Sequence, residues 1–125
     1  MKMKYTILYV HDVEASIEFY QDILGFPVKM RVESYVEFDT GEVTLSINLR
    51  QDVRETLGLP VPEGRHSSQT FEIGFVVDDV DQTIAAMKEK GVPVMKEPAK
   101  KPWGQTVAYV TDPDGHFIEI CDDIS

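Results

Sequence analysis

The sequence predicts an α+β protein made of two βαβββ modules in a single domain. Three observations predict it: the chain repeats itself, each copy passes from strand-like to helix-like patterning and back, and the joints carry turn residues. Leu8-Tyr9-Val10-His11-Asp12-Val13-Glu14 lies over Phe75-Val76-Val77-Asp78-Asp79-Val80-Asp81, and Ser16-Ile17 over Thr83-Ile84. After one gap, Gly25-Phe26-Pro27-Val28 lies over Gly91-Val92-Pro93-Val94. A chain of 125 residues has room for one domain. It divides into a first module at about 4–49, a linker at 50–70 and a second module at about 71–122.

In the first copy, Tyr5–Val10 is rich in β-branched and aromatic residues and reads as a strand. Asp12 is an N-cap candidate, and apolar residues at 13, 17, 20 and 24 follow helical spacing as far as Gly25, a C-cap stop with Pro27 beyond it. Val28–Val32, Tyr35–Phe38 and Val43–Leu49 read as strands, the last two joined by Asp39-Thr40-Gly41. The linker carries Gly58, Pro60, Pro62 and Gly64 and is expected to be a solvated connection, with at most one helical turn at Thr56–Leu59. The second copy repeats the plan. Strand Phe71–Val77 leads to the N-cap candidate Asp79, then to apolar positions 80, 84 and 87, and to a stop at Gly91. Strands Val92–Lys96, Thr106–Val110 and Phe117–Cys121 follow, the last two joined by Asp112-Pro113-Asp114-Gly115.

Composition removes several function classes. Lys+Arg 12 against Asp+Glu 22 leaves a formal net charge of -10, which repels phosphate backbones, so nucleic acid is not an expected partner. The one cysteine, Cys121, cannot close an intramolecular disulfide, and a reducing cytoplasm is the expected compartment. No run approaches the roughly 18 apolar residues of a membrane span, and Tyr5–Val10 is too short for a signal segment.

The paired modules, the phrase Val10-His11-Asp12-Val13-Glu14-Ala15-Ser16-Ile17-Glu18-Phe19-Tyr20 followed by Leu24-Gly25-Phe26, and the phrase Asp112-Pro113-Asp114-Gly115-His116-Phe117-Ile118-Glu119 together resemble the glyoxalase/bleomycin-resistance/dioxygenase (vicinal oxygen chelate) superfamily. The resemblance spans nearly the whole chain. It implies a curved mixed sheet around a cleft and a homodimer. It does not imply one reaction, because the superfamily includes lyases, isomerases, dioxygenases, thiol transferases and proteins that sequester drugs without chemistry.

In metal-dependent members such as lactoylglutathione lyase, the first and last strand of each half supply one ligand each. By that resemblance the corresponding positions here are Tyr5, Ser46, Glu72 and Glu119, and the histidines common at the first-strand positions are missing. Neutral phenol and hydroxyl oxygens are poor ligands for a divalent ion, so no metal cofactor is expected. The alternative is Mg²⁺ or Mn²⁺, hard ions that accept oxygen donors, held by Glu72 and Glu119. His11, before an N-cap, His66, in the linker, and His116, in a turn, match no metal motif and are expected to be solvated or locally hydrogen-bonded.

Strand parity puts Glu119 on a face with Phe117 and Cys121, and Glu72 with Gly74 and Val76. Two carboxylates close together in partly apolar surroundings cannot both ionise cheaply, which makes Glu72 and Glu119 a candidate acid/base pair or a seat for a cation. Tyr5, Ser46 and Trp103 are the candidate ligand-binding residues; Trp103 is the sole tryptophan and stands between Pro102 and Gly104. Tyr9, Tyr35, Phe38, Phe75 and Tyr109 are further aromatic residues for the core or a cavity wall. Lys96, Lys100 and Lys101 make a small basic patch that can steer an anionic group. Cys121 is not expected to act as a nucleophile beside Asp122 and Asp123. The leading expectation is metal-independent binding of a small amphipathic or cationic compound. The alternatives are a lyase or isomerase with Glu72 or Glu119 as general base, and a scaffold whose purpose is its dimer surface.

Overall fold

A computed structural model describes residues 2–63 and 71–123 of the chain. The two modules form two compact units, each built on its own four-stranded sheet.

In the first unit, β1 (Tyr5–Val10) runs parallel to β4 (Thr44–Leu49). β3 (Tyr35–Phe38) is antiparallel to β4 and to β2 (Val28–Val32), which gives the order β1-β4-β3-β2. Side chains alternate as a half-buried strand requires: Leu8 and Val10 of β1 are buried while Tyr5 and Ile7 are exposed. Between β1 and β2, the Asp12 carboxylate accepts the Ala15 N–H at 3.0 Å and starts α1 (Val13–Ile17). This helix runs on without a break as a π-helical segment, Glu18–Ile23. The expected apolar set at 13, 17, 20 and 24 assumes 3.6 residues per turn. The wider turn shifts the inward face, and the buried residues are Val13, Ser16, Phe19 and Tyr20. The helix ends where expected: Gly25 adopts φ 86°, and the Phe26 N–H donates back to the Tyr20 carbonyl at 2.9 Å. Tyr20 and Phe38 then meet in a core with Val36, Leu45 and Ile47.

The segment after β4 differs from the expected solvated connection. It is helical at once, as α2 (Arg50–Asp52) with a π-helical continuation, Val53–Leu57. Val53 and Val61 are buried, and the buried Arg50 guanidinium donates to the Pro62 carbonyl through Nε at 3.1 Å and Nη2 at 2.6 Å. That two-pronged bond folds residues 58–62 back toward the helix start. The rest of the expected linker, 64–70 with His66, lies outside the described residues.

The second unit repeats the topology. β5 (Glu72–Val76) runs parallel to β8 (Phe117–Cys121), and β7 (Thr106–Thr111) is antiparallel to β8 and to β6 (Val94–Lys100), in the order β5-β8-β7-β6. Asp79 caps α3 (Val80–Glu89) by accepting the Gln82 N–H at 3.0 Å, and the helix buries Val80, Ile84 and Met87, the spacing expected. β6 starts and ends later than the expected Val92–Lys96, and Pro98 falls inside it. A proline without an N–H is tolerated there because β6 is an edge strand with a single partner. Ala108, Val110, Ile118 and Ile120 are buried on one face of this sheet, so their strand neighbours stand on the other. Among the described residues no helix is long and apolar enough to cross a membrane.

Candidate functional site

The face of the second sheet opposite Ile118 and Ile120 gathers the chemistry. Register pairs Glu72 with Phe117, and Glu119 with both Gly74 and Tyr109. Alternation therefore turns Glu72, Glu119, Tyr109 and Phe117 the same way. The Tyr109 hydroxyl lies 3.2 Å from Glu119 Oε2 and 3.4 Å from Glu72 Oε1. It has one proton and donates it to the nearer oxygen, so the two carboxyls meet around a single phenol.

This geometry separates the two acids. Its hydrogen bond with Glu119, then burial and the like charge, hold the Glu72 carboxyl above its ordinary value. Glu119 moves the other way, chiefly because Glu72 donates to it, with help from the Cys121 and Tyr109 donors against the opposing effect of burial. Glu72 is thus the first of the two to take up a proton as pH falls and Glu119 the last, a division that belongs to the pair. Burial and the charges of Glu119 and Glu72 push the Tyr109 phenol up to about 12, so it stays a donor. Burial, then the hydrogen bond and charge of Glu119, push the Cys121 thiol up to about 11, and Sγ donates to the Phe75 carbonyl at 3.6 Å. The thiol is protonated at neutral pH, as expected for a non-nucleophile; burial is the main cause, ahead of its acidic neighbour Asp122.

A cavity of about 320 Å³ opens beside the cluster, lined by Glu72, Met95, Lys96, Tyr109 and Phe117. That volume lies at the small end of the range for small-molecule pockets. Gly74 keeps the neighbouring surface low: a Cβ there would stand 3.9 Å from Glu119 Oε1. Trp103 lies outside this lining. It is 63 % exposed on the β6–β7 loop, where Nε1 donates to Gln105 Oε1 at 2.9 Å.

Comparison with known proteins places this architecture. The model of the glyoxalase-like domain matches residues 3–125. The chain belongs to the glyoxalase-like family. This glyoxalase-like chain is 37% identical to the uncharacterized protein YraH of Bacillus subtilis, an alignment covering 96% of the chain and 97% of the relative. It is 31% identical to a lactoylglutathione lyase of Haemophilus influenzae, covering 100% and 95%. Among solved structures, a glyoxalase/bleomycin resistance protein/dioxygenase from Nocardioides superposes with a TM-score of 0.85 at 27% identity, over 98% of this chain and 83% of that one.

The first unit of the glyoxalase-like chain carries a different set of side chains on the same frame. Tyr5 on β1 is 48 % exposed, whereas Ser46 on β4 is fully buried and its Oγ has no hydrogen-bond partner among the described residues. Register pairs Ser46 with Glu37, whose Oε2 accepts from the Tyr35 hydroxyl at 2.7 Å. Burial raises the Tyr35 phenol above its ordinary value; the nearby Ser46 hydroxyl works against that without reaching hydrogen-bond geometry, and Glu37 adds to it. The ladder positions that hold Glu72, Tyr109 and Glu119 in the second unit hold Tyr5, Glu37 and Ser46 in the first.

The histidines resolve separately. His11 Nε2 lies 2.9 Å from the Glu63 carbonyl, a local bond of the expected kind. His116 is buried, not solvated, with Nδ1 2.7 Å from Asp112 Oδ2. Asp112, Asp114 and His116 bring potential ligand atoms within 4.8 Å of one another. The Asp112 carboxylate there is already accepting the N–H groups of Asp114 at 3.0 Å and His116 at 2.8 Å, so it works as the clamp of the β7–β8 turn.

Proposed function

We propose that the chain binds a small amphipathic compound with a cationic centre, without a metal, on the second unit's face. The observation that carries the reading is the cluster of Glu72 and Glu119 around Tyr109, beside a cavity whose lining also includes Met95 and Phe117. An incoming ammonium finds two carboxyl groups already gathered at the Tyr109 hydroxyl, with Met95 and Phe117 nearby for its apolar body. The donor set at the family's ligand positions fits a metal poorly. Ser46 is fully buried, Tyr5 offers only a phenol oxygen, and no histidine stands at these positions.

Titration calorimetry with para-methylbenzylamine tests the reading. Binding is expected to weaken about tenfold in Glu119→Gln and in Glu72→Gln, and to persist after EDTA treatment. It is also expected to weaken as pH falls, beginning above the ordinary carboxyl range because Glu72 takes up its proton early. Binding that vanishes with EDTA and returns with Mg²⁺ or Mn²⁺ overturns the metal-independent reading.

A second reading, a lyase or isomerase, draws on the opposite displacement of the two carboxyls. Two neighbouring carboxyls whose affinities for a proton are pushed apart suit general acid/base chemistry on a carbon acid, with Glu119 as base. A relative named lactoylglutathione lyase at 31% identity is consistent with it. Loss of turnover in Glu119→Gln with retained substrate affinity selects this reading over sequestration. A homodimer in the cytoplasm completes the proposal. Exposed Tyr5 and Ile7 on β1, and Val76 on β5, lie on strands with one free edge and favour pairing. Sedimentation at about twice 14.2 kDa is expected, and sedimentation at the single-chain mass removes the dimer.

A further inference from the structure

We infer that the compound taken up on this face is dipolar, with an acidic group held by Lys96, a basic centre held by Glu72 and Glu119, and an apolar body between them. The inference rests on the binding reading above and adds the second charge.

β6 is the observation behind it. Its pairing with β7 runs Val94 to Val110, Lys96 to Tyr109 and Ala99 to Val107, with a register shift on each side of Lys96. In an unbroken strand, consecutive residues point to opposite faces. Here Met95 and Lys96 both line the cavity. Shifts of this kind re-aim side chains and bend the strand that carries them. The effect is to bring a cation to a cavity lined on its far side by Glu72, with Glu119 behind the shared Tyr109 hydroxyl.

Lys96 is also unengaged. Among the described residues its ammonium makes no hydrogen bond and no ion pair, while Lys88, on α3, is paired with Glu97. Lys96 shares a cavity with Glu72 and still does not bridge to it within 4.0 Å. The ladder order explains the gap. β6 and β5, which carries Glu72, are three steps apart across β7 and β8, about 14 Å of backbone, with the Tyr109 ring between them. Opposite charges are therefore presented to one cavity without cancelling each other, and a ligand with charges at its two ends can engage both. The same spacing favours a compound whose charges are separated by a ring or short chain over one that carries both on a single carbon. Met95 and Phe117 supply apolar contact for the part in between.

Three probes with a common ring test this on the full chain by titration calorimetry: para-aminomethylbenzoate with both charges, para-methylbenzylamine with the cation alone, and para-methylbenzoate with the anion alone. The dipolar probe is expected to bind at least about fivefold more tightly than either singly charged one. Lys96→Gln is expected to remove that advantage over para-methylbenzylamine, and Lys88→Gln to preserve it. Lys96 is exposed, so the variant's melting temperature should stay near that of the parent and serves as the folding check. If para-methylbenzylamine binds and responds to Glu72→Gln, but the dipolar probe gains nothing or Lys96→Gln leaves the ratio unchanged, the dipolar inference fails and the cation site stands. If none of the three probes binds, both fail together.

Discussion

Asp112→Ala is expected to lower the unfolding free energy by about 2–4 kcal/mol, a large change for a substitution in a turn. The Asp112 side chain is buried, and its two oxygens satisfy three donors: the N–H groups of Asp114 and His116 on Oδ1 and the His116 ring on Oδ2. Truncation leaves these donors without an acceptor in a place water reaches poorly, and the cost of an unmade bond exceeds the net gain of a made one. Pro113 and Gly115, at φ 87°, keep the chain disposed to turn, so the fold survives weakened. Asp112→Asn keeps one carbonyl oxygen and should lose about half as much. Urea unfolding followed by circular dichroism measures both; an alanine variant within about 0.5 kcal/mol of the parent refutes the clamp. The turn also feeds β8, so the same variant should bind para-methylbenzylamine less tightly through displacement of Glu119.

The second large effect is expected at Tyr20. Tyr20→Ala should cost about 3–5 kcal/mol, the range for removing a large buried aromatic ring. Tyr20 is 0% exposed; it meets Phe19 edge to face at 4.9 Å and Phe38 at 5.6 Å. Its removal opens a void between the π-helical segment and β3, and the flanking backbone is held by the Phe26 to Tyr20 bond, which limits collapse into the space. For a chain of this length the melting temperature should fall by roughly 10–20 °C. Differential scanning calorimetry decides it, and a fall under about 3 °C would mean that the first unit's core does not depend on this ring.

Most strands are legible in the sequence because alternation and β-branched runs are local signals. β1, β2, β3 and β8 coincide with the segments expected, and both capping aspartates sit where the pattern puts them. The departures have physical causes. A helical wheel drawn at 3.6 residues per turn cannot anticipate Phe19 and Tyr20 side by side in the core, because a π-turn leaves no compositional mark. α2 is hidden because only Val53 and Leu57 break an otherwise polar stretch, and Gly and Pro crowd residues 58–64 beyond it. The β2–β3 turn uses Glu33 at φ 56°, with no glycine or asparagine to announce it. Of the two expectations for His116, solvated or locally hydrogen-bonded, the second holds, through a carboxylate four residues away that the folded turn brings to it.

At the site, the two acids are readable from the repeat and the resemblance, and their shared face from parity. Tyr109 is visible only as one aromatic residue among several. Its role depends on the β7–β8 register, which no local pattern encodes, and the same holds for Glu37 opposite Ser46. Lys96 stands in the sequence as part of a basic patch with Lys100 and Lys101; the irregular pairing of β6 singles it out.

Because the same three ladder positions carry Glu72, Tyr109 and Glu119 in one unit and Tyr5, Glu37 and Ser46 in the other, the backbone acts as a socket issued in duplicate. What plugs into each socket is a cassette of three side chains, none of which the hydrogen-bonded ladder needs in order to form. Chemistry can thus be rewritten in one copy while its twin keeps the architecture in place, and grafting one cassette onto the other frame is the natural engineering move this molecule invites.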